Sequence, residues 1–235
     1  MEPIKKNVLD KGFIEVVDSL GSDLTVVNSA RVSFGKRKTT FDSADRGLVK
    51  YLAAHKHYSP FRHMYIQFHV KAPEFVMRQW YKHVVGIETS SSYPTKDHAW
   101  NEISGRYVPV EDFYQPERWR RQSEDNKQGS EGSIDEPEKA KEVFENFMNA
   151  SQDYYQQLLD LGVGKEQARM ILPLNQYTEV YWTASFQAVM NFLDLRDEKT
   201  AQWEIQEYAR AIKEVMFEIF PESTKIWNEV HWDKS

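Results

Sequence analysis

Residues 64–74 read Met-Tyr-Ile-Gln-Phe-His-Val-Lys-Ala-Pro-Glu, and this stretch decides the fold. Met64, Ile66, Phe68 and Val70 alternate with Tyr65, Gln67, His69 and Lys71. A period of two puts the apolar set on one face of a half-buried strand and the polar set on the other. At Pro73-Glu74 the period changes to that of a helix. Val76, Met77, Trp80 and Tyr81 then share one side of the wheel, and Arg78, Gln79, Lys82 and His83 share the other.

The rest of the chain continues this mixture. Residues 13–19 read as a short strand ended by Gly21, and Ser22/Asp23 cap a helix through Ala30. Residues 42–56 read as a helix, and Ser59-Pro60 as an N-cap followed by Pro at the first helical position. Further on, residues 105–110 are expected to be extended and 116–122 to form a short helix. Residues 123–133 hold no apolar side chain and are expected to be a mobile loop. Asp135 is expected to cap a long helix to about Leu161, with Ala140, Val143, Phe144, Phe147, Tyr154 and Leu158 facing the core.

Residues 165–172 read as a short helix and 178–185, rich in β-branched and aromatic side chains, as a strand. Residues 186–196 form an all-round apolar, hence buried, helix, whose polar stripe Gln187, Asn191 and Asp194 needs internal partners. Residues 200–220 read as a long amphipathic helix ended by Pro221, with one short helix after it. The expected fold is α+β, a central, mostly antiparallel sheet with packed helices. The expected organisation is a single domain over 1–235, with an inserted loop at about 85–100 and a polar loop at about 123–134.

Composition narrows the function. The 235 residues suit one domain, and 40% hydrophobic content supplies its core. A net charge of −6 gives no global field for nucleic acid, so any anion site must be a local cluster. There is no cysteine, which excludes a disulfide framework, a thiolate metal site and a cysteine nucleophile. His55, His57 and His63 are interleaved with Lys56 and Arg62, and those cations disfavour a metal ion; no metal is expected. No apolar run approaches the roughly 20 residues that span a bilayer. The first residues lack the apolar core of a signal peptide, so a cytoplasmic location is expected.

Residues 101–107, Asn-Glu-Ile-Ser-Gly-Arg-Tyr, carry the chemistry. An Arg binds phosphate as a fork, Gly lets backbone N–H groups come close, and amide and carboxylate groups read a polar ring edge. Upstream, Arg78 and Lys82 are like charges at i, i+4, a repulsion that a bound anion would relieve. The plainer alternative is a capped turn beside a solvated helix face, with Glu74 pairing Arg78.

Together, Arg78-Gln79-Trp80-Tyr81-Lys82-His83 and Asn101-Glu102-Ile103-Ser104-Gly105-Arg106-Tyr107 resemble the split signature of flavin-dependent thymidylate synthases. The similarity extends to Ala30-Arg31-Val32-Ser33-Phe34, His57-Tyr58-Ser59-Pro60-Phe61, residues 68–73 and residues 168–203, most of the chain. The resemblance implies methylation of dUMP at C5 to dTMP, with methylenetetrahydrofolate as carbon donor and NADPH reducing FAD. It implies a homotetramer with active sites between subunits, and no nucleic-acid or membrane partner.

Carried over residue by residue, the resemblance places Gln79, Lys82, Glu102, Ile103, Ser104, Gly105, Arg106, Arg169 and Arg196 at dUMP, with Arg196 catalytic at the pyrimidine edge. It places Ser33, His57, Ser59, Lys82, His83, Val84, Ser185, Gln187 and Asn191 at FAD. The chain departs from the family pattern at several points. Lys82 and Val84 replace two arginines, and sixteen residues (85–100) stand where the family has four. Ser185 and Gln187 replace an Asn and an Arg, Thr200 replaces a His, and Arg62 stands where an acidic residue is common. The alternatives are a flavin-dependent methyltransferase for another pyrimidine nucleotide and a non-catalytic nucleotide-binding relative.

Overall fold

The computed structural model describes residues 4–83, 99–109 and 111–233. Strands β1 (Lys5–Val8), β2 (Gly12–Leu20), β3 (Tyr65–Pro73) and β4 (Ala99–Glu102) join β7 (Tyr177–Ser185) in one five-stranded antiparallel sheet. Its order is β1-β2-β3-β7-β4, so the alternating stretch is the central strand. Ile66, Phe68 and Val70 are buried opposite Ala184, Trp182 and Val180. On the other face, His69 Nε2 lies 2.9 Å from the Glu179 carboxylate, and Lys71 Nζ donates to Asp112 Oδ2 at 2.6 Å.

Eight α-helices flank the sheet among the described residues. They are α1 (Asp23–Arg31), α2 (Ser43–Ala54), α3 (Glu74–Trp80), α4 (Pro137–Asp160), α5 (Lys165–Ala168), α6 (Phe186–Arg196), α7 (Trp203–Ile219) and α8 (Pro221–Trp227). Among the described residues no helix is long and apolar enough to cross a membrane.

One relation positions the site. β3 runs directly into α3, and β7 runs directly into α6. The two strands are antiparallel, with Tyr65 opposite Ser185 and Pro73 opposite Tyr177. The two helices therefore start from opposite ends of the strand pair, and their C-terminal ends meet over its middle. Trp80 packs there on Phe192 (ring centroids 4.6 Å apart), Trp182 (5.4 Å) and Tyr208 (6.0 Å). All four rings are buried, and Trp80→Ala would cost about 3–5 kcal/mol.

Several local expectations are corrected. Residues 105–107 form a turn rather than an extended segment, because Ser104 O accepts from both Tyr107 N and Val108 N. The extended part lies upstream, in β4, and includes Ala99 and Trp100 from the expected loop; residues 84–98 of that loop lie outside the described residues. No helix forms over 116–122. Arg120 is drawn into an ion pair with Glu204, and β5 (Arg121–Gln122) pairs with β6 (Ser130–Glu131).

That hairpin gives the polar stretch 123–133 a regular structure. Gln122 Nε2 donates to the carbonyls of Asn126, Lys127 and Gly129, and these bonds hold the turn where no apolar core is available. Ser59 does not cap a helix. It is the first residue of the 3-10 turn Ser59–His63, with Tyr58 before it. α4 starts at Pro137 after Glu136, one residue beyond the expected cap, and α7 starts at Trp203. The core face of α4 is Met148, Ser151 and Tyr155, whereas Val143, Phe147 and Tyr154 are 66%, 57% and 61% exposed.

Candidate functional site

At the Pro73/Tyr177 end of the strand pair lies a cleft of about 490 Å³. β4 brings Glu102 opposite Val180, and Ile103 N continues the pairing with Glu179 O at 2.9 Å. The Ser104–Arg106 turn then folds over the cleft. Glu102, Ile103, Ser104, Gly105, Arg106 and Arg169, six of the nine residues expected at the nucleotide, line it together. Thr178 Oγ1 donates to Glu102 Oε1 at 2.6 Å and fixes that carboxylate.

The cations of the cleft differ in availability. Lys71 is neutralised by Asp112 at 2.6 Å and Glu179 at 3.7 Å. Arg106 and Arg169 have no carboxylate within ion-pair distance among the described residues. Unpaired guanidinium forks above a hydroxyl-bearing turn suit a phosphate. Glu74 also lines the cleft, which the sequence did not announce. Burial first, and then the Glu102 carboxylate, raise its pKa, while Arg78 and Arg169 oppose the shift. No Glu74–Arg78 contact ion pair forms among the described residues.

A second cluster sits where α3 and α6 meet. Arg196 Nε donates to His83 Nε2 at 2.7 Å. The imidazole can accept only when neutral with its proton on Nδ1. Burial first, then the neighbouring Arg196, push its pKa down to about 4. Gln79 is held nearby on α3: its Nε2 donates to Gln202 Oε1 at 2.7 Å, and Gln202 Nε2 donates to Glu204 Oε2 at 3.0 Å. Glu204 is buried, and its other oxygen accepts from Arg120 at 2.7 Å and from Tyr114 at 3.3 Å. Lys82 is exposed on the turn after α3.

A third cluster lies at the Tyr65/Ser185 end. Ser33, His57 and Ser59 line a pocket of about 580 Å³ with Lys56, Tyr58 and Arg62. α6 begins beside it. Ser185 Oγ caps that helix by accepting from Ala188 N at 3.2 Å, and Gln187 Oε1 accepts from Arg62 Nε at 2.6 Å. Asn191 is half-buried further along the helix, and Val84 lies outside the described residues. The third polar residue of the helix, Asp194, accepts from Trp227 Nε1 at 3.3 Å and Trp232 Nε1 at 2.5 Å. Among the described residues no cluster of His, Asp and Glu could hold a metal ion.

The site thus comprises two pockets at opposite ends of the β3–β7 pair, each with basic and hydroxyl side chains in its lining, and a half-buried arginine–histidine pair where α3 and α6 meet. Residues 15–222 match the family model described as thymidylate synthase complementing protein. A flavin-dependent thymidylate synthase of Thermus thermophilus is 44% identical over 220 residues, 93% of this chain and 76% of that protein. That of Thermosipho melanesiensis is 42% identical over 218 residues, 91% of this chain and 89% of that protein. A crystal structure of the UMP/dUMP methylase PolB from Streptomyces cacaoi, bound with 5-Br dUMP, superposes with a TM-score of 0.82 at 28% identity, covering 96% of this chain and 98% of that one. The chain belongs to the flavin-dependent thymidylate synthase family.

Proposed function

We propose that this chain is an enzyme that methylates dUMP at C5 to dTMP, with methylenetetrahydrofolate as carbon donor, bound FAD as redox group and NADPH as reductant. The observation that carries the reading is the cleft in which Glu102, Ser104, Arg106 and Arg169 converge, with both arginines free of carboxylate partners among the described residues. The reaction replaces the C5 hydrogen by a methyl group. The folate supplies the methylene carbon with its two hydrogens, and NADPH is the source of the hydride that completes the methyl group. The C5 hydrogen leaves as a proton, and with one proton from the medium it balances the two that the folate nitrogens gain as tetrahydrofolate is released.

The residues divide this work. Arg106 and Arg169 hold the phosphate, and Gln79, Lys82, Glu102, Ile103, Ser104 and Gly105 hold the rest of the nucleotide. Arg196 stands at the pyrimidine edge, where its charge stabilises negative charge developing at N3. His83 fixes its direction without competing for the charge.

The donor set of the third cluster fits a flavin nucleotide, since it combines cations and hydroxyls with the apolar walls of Leu52 and Pro60. Ser33, His57, Ser59, Ser185 and Asn191, with Lys82, His83 and Val84, would hold it, and the buried Gln187 would act through the side chain it orients, Arg62. A reduced flavin supplies hydride, which is why a chain with no cysteine can run this chemistry.

The chain is read as one domain over 1–235 that acts in the cytoplasm as a homotetramer. The exposed Val143, Phe147 and Tyr154 on α4 are a surface that self-association would cover. UMP is a second candidate substrate, favoured by the likeness to the UMP/dUMP methylase. Purified protein should show flavin absorbance at about 450 nm. Chromatography of products from dUMP and UMP should show dTMP as the main one. A colourless protein that yields no methylated nucleotide would refute the reading.

A further inference from the structure

The pocket at the Tyr65/Ser185 end holds a cation that the expected flavin residues do not include. Arg62 lies on its wall, exposed, in the 3-10 turn Ser59–His63. Its Nε is occupied by Gln187 Oε1 at 2.6 Å, and Gln187 is only 4% exposed. Among the described residues, Arg62 makes no other hydrogen bond and no carboxylate lies within ion-pair distance of it. A guanidinium anchored at Nε by a rigid buried acceptor keeps its two terminal nitrogens free as a fork, the geometry that matches phosphate oxygens.

The surroundings point the same way. Lys56 and His57 line the pocket, Ser59 and Tyr58 add hydroxyls, and no Asp or Glu lines it. Burial first, then Asp194, raise the Tyr58 phenol, so it stays a neutral donor. In a chain with 36 acidic and 30 basic residues, Lys56 and Arg62 on one pocket without a carboxylate in its lining make a local site suited to an anion.

We propose that Arg62, oriented by Gln187, is the residue of this chain that grips the phosphate of the flavin nucleotide, so that the cation the family pattern sets at 187 is carried by 62 instead. The register explains how this exchange is possible. Tyr65 lies opposite Ser185, so the turn before β3 and the first turn of α6 are neighbours, and a charge can pass from one to the other without leaving the pocket. The inference rests on the flavin reading of the proposed function.

The test is binding of FAD, FMN and riboflavin to the purified chain, followed by quenching of flavin fluorescence, with dUMP binding and far-UV circular dichroism as folding controls. Arg62→Ala should weaken FAD and FMN about tenfold or more, the scale of one lost charge-assisted contact, and leave riboflavin unchanged. Arg62→Lys should recover part of the loss. Gln187→Leu should weaken FAD in the parent but not further in Arg62→Ala, since it acts only through the arginine. FAD binding by Arg62→Ala equal to the parent's overturns the inference alone, and so does an equal loss of riboflavin. A parent chain that binds dUMP but no FAD overturns the flavin reading and this inference with it.

Discussion

Arg196 Nε donates to His83 Nε2 at 2.7 Å, so a guanidinium and a neutral imidazole are locked together where the ends of α3 and α6 meet. The contact joins residues 113 apart in the chain and fixes the one cation assigned to the pyrimidine. His83→Ala should lower kcat about 10–100-fold, the equivalent of losing a hydrogen bond to a charged group, with little change in dUMP affinity. His83→Gln, which keeps an acceptor, should retain most activity. Steady-state kinetics in which the two variants fall equally would show that the acceptor is not what matters.

The same pair sets a pH window for stability. Burial and Arg196 hold His83 down at about 4 in the folded chain, against 6.5 ordinarily. The unfolded chain therefore takes up the proton first as pH falls. Stability is lost progressively from about 6.5 down to about 4, and nothing is lost above that window. His83→Gln should remove this component, so the drop in Tm between pH 7.5 and pH 5 becomes smaller than in the parent. Equal drops would contradict the neutral imidazole.

Glu204 fixes which way Gln79 faces. A carboxylate only accepts, so Gln202 must turn its amide nitrogen to Glu204 and its oxygen to Gln79. Gln79 must then spend an N–H on Gln202, which leaves its own oxygen for the nucleotide. Glu204→Gln, which can donate or accept, releases this order and should weaken dUMP about two- to tenfold. In a Gln79→Ala background the same change should cost nothing more in dUMP affinity. Additive losses, measured by calorimetry, would show that the chain of amides is not a unit.

The outward stripe of α4 should govern assembly. Phe147→Glu places a charge in an apolar surface that self-association would bury. It should lower the solution mass seen by light scattering while changing the stability of the fold by no more than about 1 kcal/mol. An unchanged mass would show that this face lies outside the subunit interface.

Where one period ruled, the sequence was enough. β3 and α3 were legible because Met64 to Val70 alternate and Val76, Met77 and Trp80 then fall on one helical face. α6 was legible to the residue because little in it is polar. α4 shows the limit: periodicity reports an apolar stripe but not what covers it, and Val143, Phe147 and Tyr154 face outward. β4 was missed because a four-residue edge strand is defined by its pairing with β7, not by its own pattern.

The site divides in the same way. Arg106 stood out from the motif, since its chemistry is local to the residues named, whereas Arg169 came only from the family resemblance. Glu74 did not, because its environment depends on a carboxylate that β4 brings to it. Arg62 and Gln187 are 125 residues apart, and each alone read as a departure from the family pattern. Only the β3–β7 register makes them one feature.

The most direct test of the central claim is tritium release from dUMP labelled with tritium at C5, assayed with methylenetetrahydrofolate, NADPH and FAD. Release to water that depends on all three and matches the dTMP formed, and that survives iodoacetamide, is the predicted result. Release without flavin or reductant, or none with all components present while dUMP binds, would contradict a flavin-dependent methylation at C5.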